Sequence, residues 1–546
     1  MIILSVSMIH RLLGGLNGRT LQFLLAGIGL VAIAAAPSPS GLSTTGQYAI
    51  ATMFFAGFLW VSGALPLAVT ALTIPVLLTG TGIYDTMDAA LVGFADHIIF
   101  LFLAGFMLAN GIQKYDIDRR IALYAIARMG SSPRRLILAI MAVTAVLSMW
   151  VSNTATAAMM TPIAVGVLTQ VLDRDDLASA SESARDTEAA ETAADGGAVE
   201  RTAEFTNLQI GMLLGTAYAA SVGGVGTIIG TPPNAILVGQ LNAILDYEIG
   251  FADWFLIGFP VVVVTLPLVW FILTYVLYPP EIPEVEGARA TARDQLEAMG
   301  ELDPRGKRVA AIFAVTAGLW MLGGLGEFFE PYLSSVWLTT LFGGDGMTVF
   351  GVEGHQGLLY YVMVGVAAIP ALVLADTMEW DELVDIDWGT LLLFGGGISL
   401  ANALADTGAT EWIADTVFGG LVGAPIVLVI GAVVLVVIFL TEMTSNSATT
   451  SIIVPILISL GSVFSATLGL TDFSTALFLS VAGAIAASFA FALPVATPPN
   501  AIVFGSGYVK QRHMLRTGLV LNAIMTVVLT GLIWFLFTFV WPHLLW

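Results

Sequence analysis

Long apolar runs separated by short polar ones fill almost the whole chain. Residues 21–36, 256–277, 358–375, 427–440 and 519–540 are apolar on every face, and further runs of the same kind lie between them. Segments this long and uniform suit the hydrocarbon layer of a membrane rather than the one-sided burial of a soluble helix. Two interruptions of the pattern each occur twice. Ser152-Asn153-Thr154-Ala155-Thr156 returns as Ser445-Asn446-Ser447-Ala448-Thr449, and Gly230-Thr231-Pro232-Pro233-Asn234-Ala235-Ile236 returns as Ala496-Thr497-Pro498-Pro499-Asn500-Ala501-Ile502. Polar, proline-broken sequence is costly in a bilayer, where backbone groups cannot turn to water, so the duplication marks one twice-built solute or ion pathway.

Composition agrees. The 546 residues are 57% hydrophobic and 11% charged, with a mean hydropathy of +0.90. This is a polytopic membrane protein. With no cysteine, thiol catalysis, disulfides and cysteine metal sites are excluded. The net charge of -21, with forty acidic residues and lysine only at Lys114, Lys307 and Lys510, suits solubility at high ionic strength and points to a salt-adapted source. So acidic a chain is not expected to bind nucleic acid.

All nineteen basic residues fall in five clusters: Arg11 and Arg19; Lys114 to Arg135; Arg174, Arg185 and Arg201; Arg289 to Arg308; and Lys510 to Arg516. One threading places every cluster in the cytoplasm, as positively charged loops prefer. It begins inside, crosses four times before Lys114, and returns through 136–171 without a full crossing. The arms 136–150 and 155–169 are each about 22 Å long at 1.5 Å per residue, short of a core of about 30 Å. That predicts a re-entrant hairpin with Ser152-Asn153-Thr154 at its tip. Five crossings follow (208–241, 254–278, 309–325, 358–375 and 389–405), so a second hairpin, 424–463, enters from outside. The last two spans, 474–504 and 519–540, leave the C-terminus external. The expected fold is an all-α polytopic membrane protein of about eleven transmembrane helices plus two re-entrant hairpins in an inverted-topology repeat, with helices broken at mid-membrane. The run 173–204, with ten carboxylates and three arginines, reads as a disordered cytoplasmic insertion outside the site.

The chemistry of the repeated motifs follows from residue type. Asparagine and serine bring neutral hard oxygens to a turn where the helix stops and its carbonyls are free, which suits sodium; the helix that resumes offers amides and a positive dipole end to an anion. Thr154 and Ser447 add hydroxyl donors. The proline pairs remove backbone donors and break the surrounding helices. No lysine or arginine falls inside a predicted span, so a dianion would be held by hydroxyls, amides, helix ends and bound cations. Glu442, three residues before Ser445, is either functional or a structural anchor of its hairpin. Asp96 and His97 are expected to make structural hydrogen bonds and no metal site. Enzyme readings fail: Gly505-Ser506-Gly507 lacks the Gly-x-Ser-x-Gly elbow and a placed histidine, and the glycines at 224 and 226 are wrongly spaced for a nucleotide loop.

The runs Ser148-Met149-Trp150-Val151-Ser152-Asn153-Thr154-Ala155-Thr156, Gly223-Gly224-Val225-Gly226-Thr227, Thr441-Glu442 before Ser445-Asn446, and Leu493-Pro494-Val495-Ala496-Thr497-Pro498-Pro499-Asn500 closely resemble the DASS family of divalent-anion/sodium symporters, from about Trp60 to the C-terminus. The resemblance implies sodium-coupled uptake of a C4-dicarboxylate, citrate or sulfate by a plasma-membrane homodimer with an elevator mechanism. It implies scaffold helices at 1–135 and 309–423. The moving transport domain would hold the hairpins 136–171 and 424–465 and the broken-helix segments 207–278 and 466–546, joined by cytoplasmic stretches at 172–206 and 279–308. One sodium site would use Ser148, Ser152, Asn153 and Gly230; the other Thr441, Thr444, Asn446 and Ala496. Substrate would meet Asn153, Thr154, Thr231, Asn446, Ser447, Thr497 and Pro498. Ser447 departs from the threonine common at that place, keeping the hydroxyl and losing the methyl. The rival architecture is an arsenite or sodium/proton antiporter.

Overall fold

The computed structural model describes residues 17–128, 132–171, 206–282, 288–418, 420 and 423–543. The acidic run at 173–204 therefore lies outside the described residues, as does Arg11. Every segment read as a crossing is helical. Before Lys114 come α1 (Gly18–Ala35), α2 (Thr44–Ser62), α3 (Leu67–Gly80) and α4 (His97–Lys114). Next are α5 (Ile117–Arg128), the hairpin α6 (Pro133–Ser148) and α7 (Asn153–Val171), the broken helix α8 (Asn207–Gly224) and α9 (Pro232–Leu245), then α10 (Phe251–Phe271). The second half holds α11 (Ala288–Ala298), α12 (Pro304–Gly323), α13 (Tyr361–Leu374), α14 (Trp388–Asp406) and α15 (Ala409–Phe418). It closes with the hairpin α16 (Ile426–Met443) and α17 (Asn446–Leu468), the broken helix α18 (Asp472–Ala486) and α19 (Pro498–Gly505), and α20 (Gln511–Phe535). Short polar side chains start many of these helices by accepting an otherwise unbonded amide: Asn17 for α1, Ser43 for α2, Thr206 for α8 and Thr471 for α18.

Among the described residues, seven helices are long and apolar enough to cross a membrane. Five match expected crossings and two are the arms of the second hairpin, α16 and α17. The other expected crossings fall short for local reasons. α2 opens with the polar run Thr44 to Tyr48, α3 and α13 have 14 residues each, α12 opens with Arg305, Lys307 and Arg308, and α8 and α18 are first halves of helices that break. The arms α6 and α7 have 16 and 19 residues, whereas α17 has 23, or about 34 Å. Length alone would have made α17 a crossing; where its tip goes decides otherwise. The amphipathic helices α5, α11 and α15 were not foreseen, nor was the antiparallel pair Gly344–Met347 with Glu353–His355.

Packing shows the inversion. The first hairpin lies against α8, the part of the first broken helix before its break, and against α19, the part of the second after its break. The second hairpin lies against α18 and α9 in the same relation. The last helix of each repeat, α10 or α20, then packs on the first hairpin arm, α6 or α16. Because α8 and α9 extend to opposite sides of one break, the hairpins approach from opposite sides.

Glycines allow the closest contacts. A Cβ on Gly258 of α10 would lie 2.2 Å from Val225 O in the first break, and one on Gly518 of α20 would lie 2.2 Å from Ala492 Cα in the second. Gly258→Val and Gly518→Val should each lower detergent-state stability by about 1–3 kcal/mol, while Gly531→Ala, with nothing within 4 Å, should cost nothing in the same melting assay. Outside the membrane helices, burial pushes the Asp118 carboxyl of α5 up to about 6, against the Arg119 amide that favours its charge. A carboxyl raised on folding stabilises the native state least where it must ionise. Stability should therefore fall as pH rises through 6, and Asp118→Asn should recover on the order of 2 kcal/mol at pH 7.5 but nothing at pH 4.

Candidate functional site

Both tips and both breaks meet at one cavity of about 470 Å³. Ser152, Asn153 and Thr154 line it from one hairpin and Ser445, Asn446 and Ser447 from the other. Gly230, Thr231 and Pro232 face them from the first break, and Ala496, Thr497 and Pro498 from the second. Four helix N-termini thus converge, those of α7, α9, α17 and α19. Two of them differ from the other two. α9 and α19 begin with proline pairs, which fit the first turn because their missing donors would be unbonded anyway. They bring a positive dipole end but no amide at their first two positions. In α7 and α17 the third amide is taken by a serine cap, Ala155 N to Ser152 Oγ at 3.3 Å and Ala448 N to Ser445 Oγ at 3.1 Å. The first two amides of each tip remain for an anion.

Behind each tip sits an oxygen cluster. Ser148 Oγ lies 2.6 Å from Asn153 Oδ1 and 2.7 Å from Ala220 O, and Thr441 Oγ1 lies 2.7 Å from Asn446 Oδ1 and 2.9 Å from Ala487 O. One hydroxyl proton cannot serve two acceptors. Around Asn153 the crowding is greater: its amide oxygen faces Ser148 Oγ, Ala220 O at 2.9 Å and Gly230 O at 3.2 Å. Turning the amide would put its nitrogen, with two hydrogens, against all three; with the oxygen inward, the group is a set of hard oxygens suited to an alkali cation. Ser148 and Thr441 are fully buried and stand behind the cavity wall rather than on it. Thr444 is not brought to its cluster, since its hydroxyl bonds back to Leu440 O at 3.0 Å and lies against Thr449 Oγ1.

The unwound stretches have their own fastenings. Asn234 Nδ2 donates to Gly224 O (2.9 Å) and Thr227 O (2.7 Å) in the first break, and Asn500 Nδ2 donates to Ala490 O and Leu493 O, both at 3.1 Å, in the second. Their recurrence was visible in sequence, but this role was not. Each leaves a buried Oδ1 without a partner, a further pair of hard oxygens beside the clusters. Glu442 proves to be the anchor of the second break: Oε1 accepts from Phe491 N (2.6 Å), Ala492 N (2.7 Å) and Asn522 Nδ2 (2.6 Å), and Oε2 from Leu493 N (3.0 Å). The first break has no carboxylate there. Trp254 Nε1 donates to Val225 O at 2.9 Å, and Thr227 Oγ1 bonds Met149 O.

Sequence reasoning missed the far wall, where Phe102, Phe106, Asn110 and Gln113 of α4 and Asp385, Ile386, Asp387 and Thr390 before and within α14 close the cavity. Those positions belong to no motif. None of the described residues lining the cavity is lysine or arginine.

Two mirrored broken-helix units closing on one cavity make this a polytopic membrane transporter. The chain belongs to the DASS family: the family described as "Sodium:sulfate symporter transmembrane region" matches residues 18–545. It is 36% identical over 483 residues to an "uncharacterized transporter" of Haemophilus influenzae, covering 88% of this chain and 89% of that one. It is 31% identical over 503 residues to the sodium-dependent dicarboxylate transporter SdcS of Staphylococcus saprophyticus, covering 91% and 87%. Among solved structures, MtrF of Neisseria gonorrhoeae aligns with a TM-score of 0.54 at 14% identity over 95% of both chains. YdaH of Alcanivorax borkumensis aligns at 0.53 and 13%, over 96% and 99%; these two share the fold alone.

Glu442→Ala leaves three buried amides and an asparagine without their acceptor and should lower stability by roughly 3 kcal/mol or more. Glu442→Gln, which keeps one acceptor, should cost less. Thermal melts of the purified variants measure both.

Proposed function

We propose that the protein is a sodium-coupled symporter importing a C4-dicarboxylate such as succinate, malate or fumarate across the plasma membrane. The observation that carries this reading is a cavity between two opposed hairpin tips that has amides, hydroxyls and helix N-termini for carboxylates but no cationic side chain. A dianion in such a place needs compensating charge. The oxygen clusters of Ser148, Asn153 and Gly230, and of Thr441, Asn446 and the loop at Ala496, would hold sodium behind each tip. One cation in each balances the two charges of the dianion itself, with Asp385 and Asp387 standing on the opposite wall and Glu442 already committed to backbone amides. Ser152 acts through its backbone and its cap, and Thr444 by ending α16. Substrate carboxylates meet the amides and hydroxyls of Thr154 and Ser447, with Asn153, Asn446, Thr231, Thr497 and Pro498 around them. The names of the SdcS relatives favour a dicarboxylate over sulfate or citrate.

The mechanism we propose is an elevator. The hairpins, broken helices, α10 and α20 form the moving unit, against a scaffold of α1 to α4 and α12 to α14, and the protein works as a homodimer. Asn110 and Gln113 on the cavity wall lie within one turn of Lys114, and positive residues favour the cytoplasm, so this is the inward-open state. In this orientation the N-terminus is cytoplasmic and the C-terminus external.

Uptake of labelled succinate into proteoliposomes should require an inward sodium gradient and saturate. Asn153→Ala and Asn446→Ala should each lower it by roughly ten- to a hundredfold, the loss of one charge-assisted ligand, in protein with unchanged melting behaviour. Normal uptake by either variant, or unsaturable flux without sodium, refutes the reading. Tighter competition by sulfate or citrate than by malate would move the substrate alone.

A further inference from the structure

On the side away from the open cavity, the two bodies are joined by a cluster that the transport reading leaves unused. His97 begins α4. Its Nδ1 lies 3.4 Å from Asp96 Oδ1 and its Nε2 lies 3.8 Å from Glu248 Oε1. Tyr361 Oη, at the start of α13, sits 3.3 Å from the same Nε2. Asp96, His97 and Tyr361 belong to the scaffold, but Glu248 stands in the loop between α9 and α10, on the moving unit. The imidazole is thus flanked by a carboxylate on each side, and only one of them travels. Next to the cluster, Phe251 of the moving unit stacks at 4.7 Å on Trp320 of α12, whose Nε1 donates to Tyr361 O at 2.7 Å.

A neutral imidazole carries one N–H and can satisfy one of these carboxylates; the imidazolium carries two and a full charge, and engages both. We propose that His97 and Glu248 form a proton-operated latch that holds the inward-open state shut on its external side. This rests on the elevator reading. Protonation of His97 from the external medium tightens the contact and slows the return of the empty unit; loss of that proton frees it. The other titratable groups facing the ring are Asp96, whose pKa burial raises and the imidazolium opposes, and the phenols of Tyr360 and Tyr361. Asp253 and His355 stand on the adjoining cavity wall.

The chain contains no cysteine, so a single Gln113→Cys reports access to the inward cavity. Its labelling by an impermeant maleimide from the cytoplasmic side, in inside-out vesicles, is followed with the external pH moved from about 8 to about 5.5. Labelling needs no transported dicarboxylate, so protonation of substrate does not enter. Acidification should raise the labelling rate by about two- to fivefold, the shift expected from one partly exposed ion pair. Glu248→Gln and His97→Gln should abolish that response. His97→Arg, charged at every pH, should give the high rate throughout, which a merely structural histidine would not. A pH response that survives in Glu248→Gln, or is absent from the parent while sodium and succinate still change labelling, overturns the latch alone. Labelling indifferent to sodium and succinate as well overturns the elevator reading and the latch with it.

Discussion

A backbone that breaks inside a bilayer must find protein partners for every freed N–H and C=O, because no water is there to take them. The two breaks of this chain, and the site they create, depend on that requirement being met. Asparagines at equivalent places tie down the carbonyls, Asn234 in one break and Asn500 in the other. Beyond that the repeats diverge. The second break turns three consecutive amides toward one point, and Glu442 meets them. The first presents Val225 O to the Trp254 indole instead. The same geometrical problem, posed once with donors and once with acceptors, has opposite chemical answers, and it leaves a fixed carboxylate beside the second oxygen cluster only.

The crossed packing turns two half-sites into one. Each hairpin leans on the far part of the other repeat's broken helix, α7 on α19 and α17 on α9, so neither tip is positioned by its own repeat alone. Tyr218 of α8 adds a tie across the halves, its hydroxyl donating to Phe491 O at 3.0 Å. The wall against which this body rests is built differently, from aromatic rings and the ends of α4 and α14. Ion pairs hold together the end of it at the C-terminus of α4, Lys114 with Glu382 and Arg305 with Asp376, both at 2.6 Å. They join parts of the wall to each other. At the other end of α4, His97 Nε2 lies 3.8 Å from Glu248 Oε1 in the loop between α9 and α10.

Much was legible before any coordinates. Helices broken at the proline pairs follow from the chemistry of proline, which has no N–H to give and clashes with a preceding turn. The duplication of motifs and the parity of crossings between them fixed the inversion, because each apolar run has nowhere to go but through the bilayer. The absence of basic residues from the spans foretold a cavity without cationic side chains. All of these are local properties, or counts of local properties.

What only the tertiary structure decided are matters of partnership. Whether Glu442 faced a ligand or the backbone depended on three amides nearly fifty residues later. That Thr444 turns back to its own helix while Ser148 and Thr441 reach another depended on how far each arm runs before it unwinds. The residues opposite the tips, from Phe102 to Gln113 and from Asp385 to Thr390, carry no motif, since a wall is specified by shape and position rather than by residue type. The same holds for His97 and Glu248, some 150 positions apart: one is an ordinary polar residue at a helix start and the other in a loop, and only the packing of α9 against α4 and of α10 against α12 brings the ring between two carboxylates.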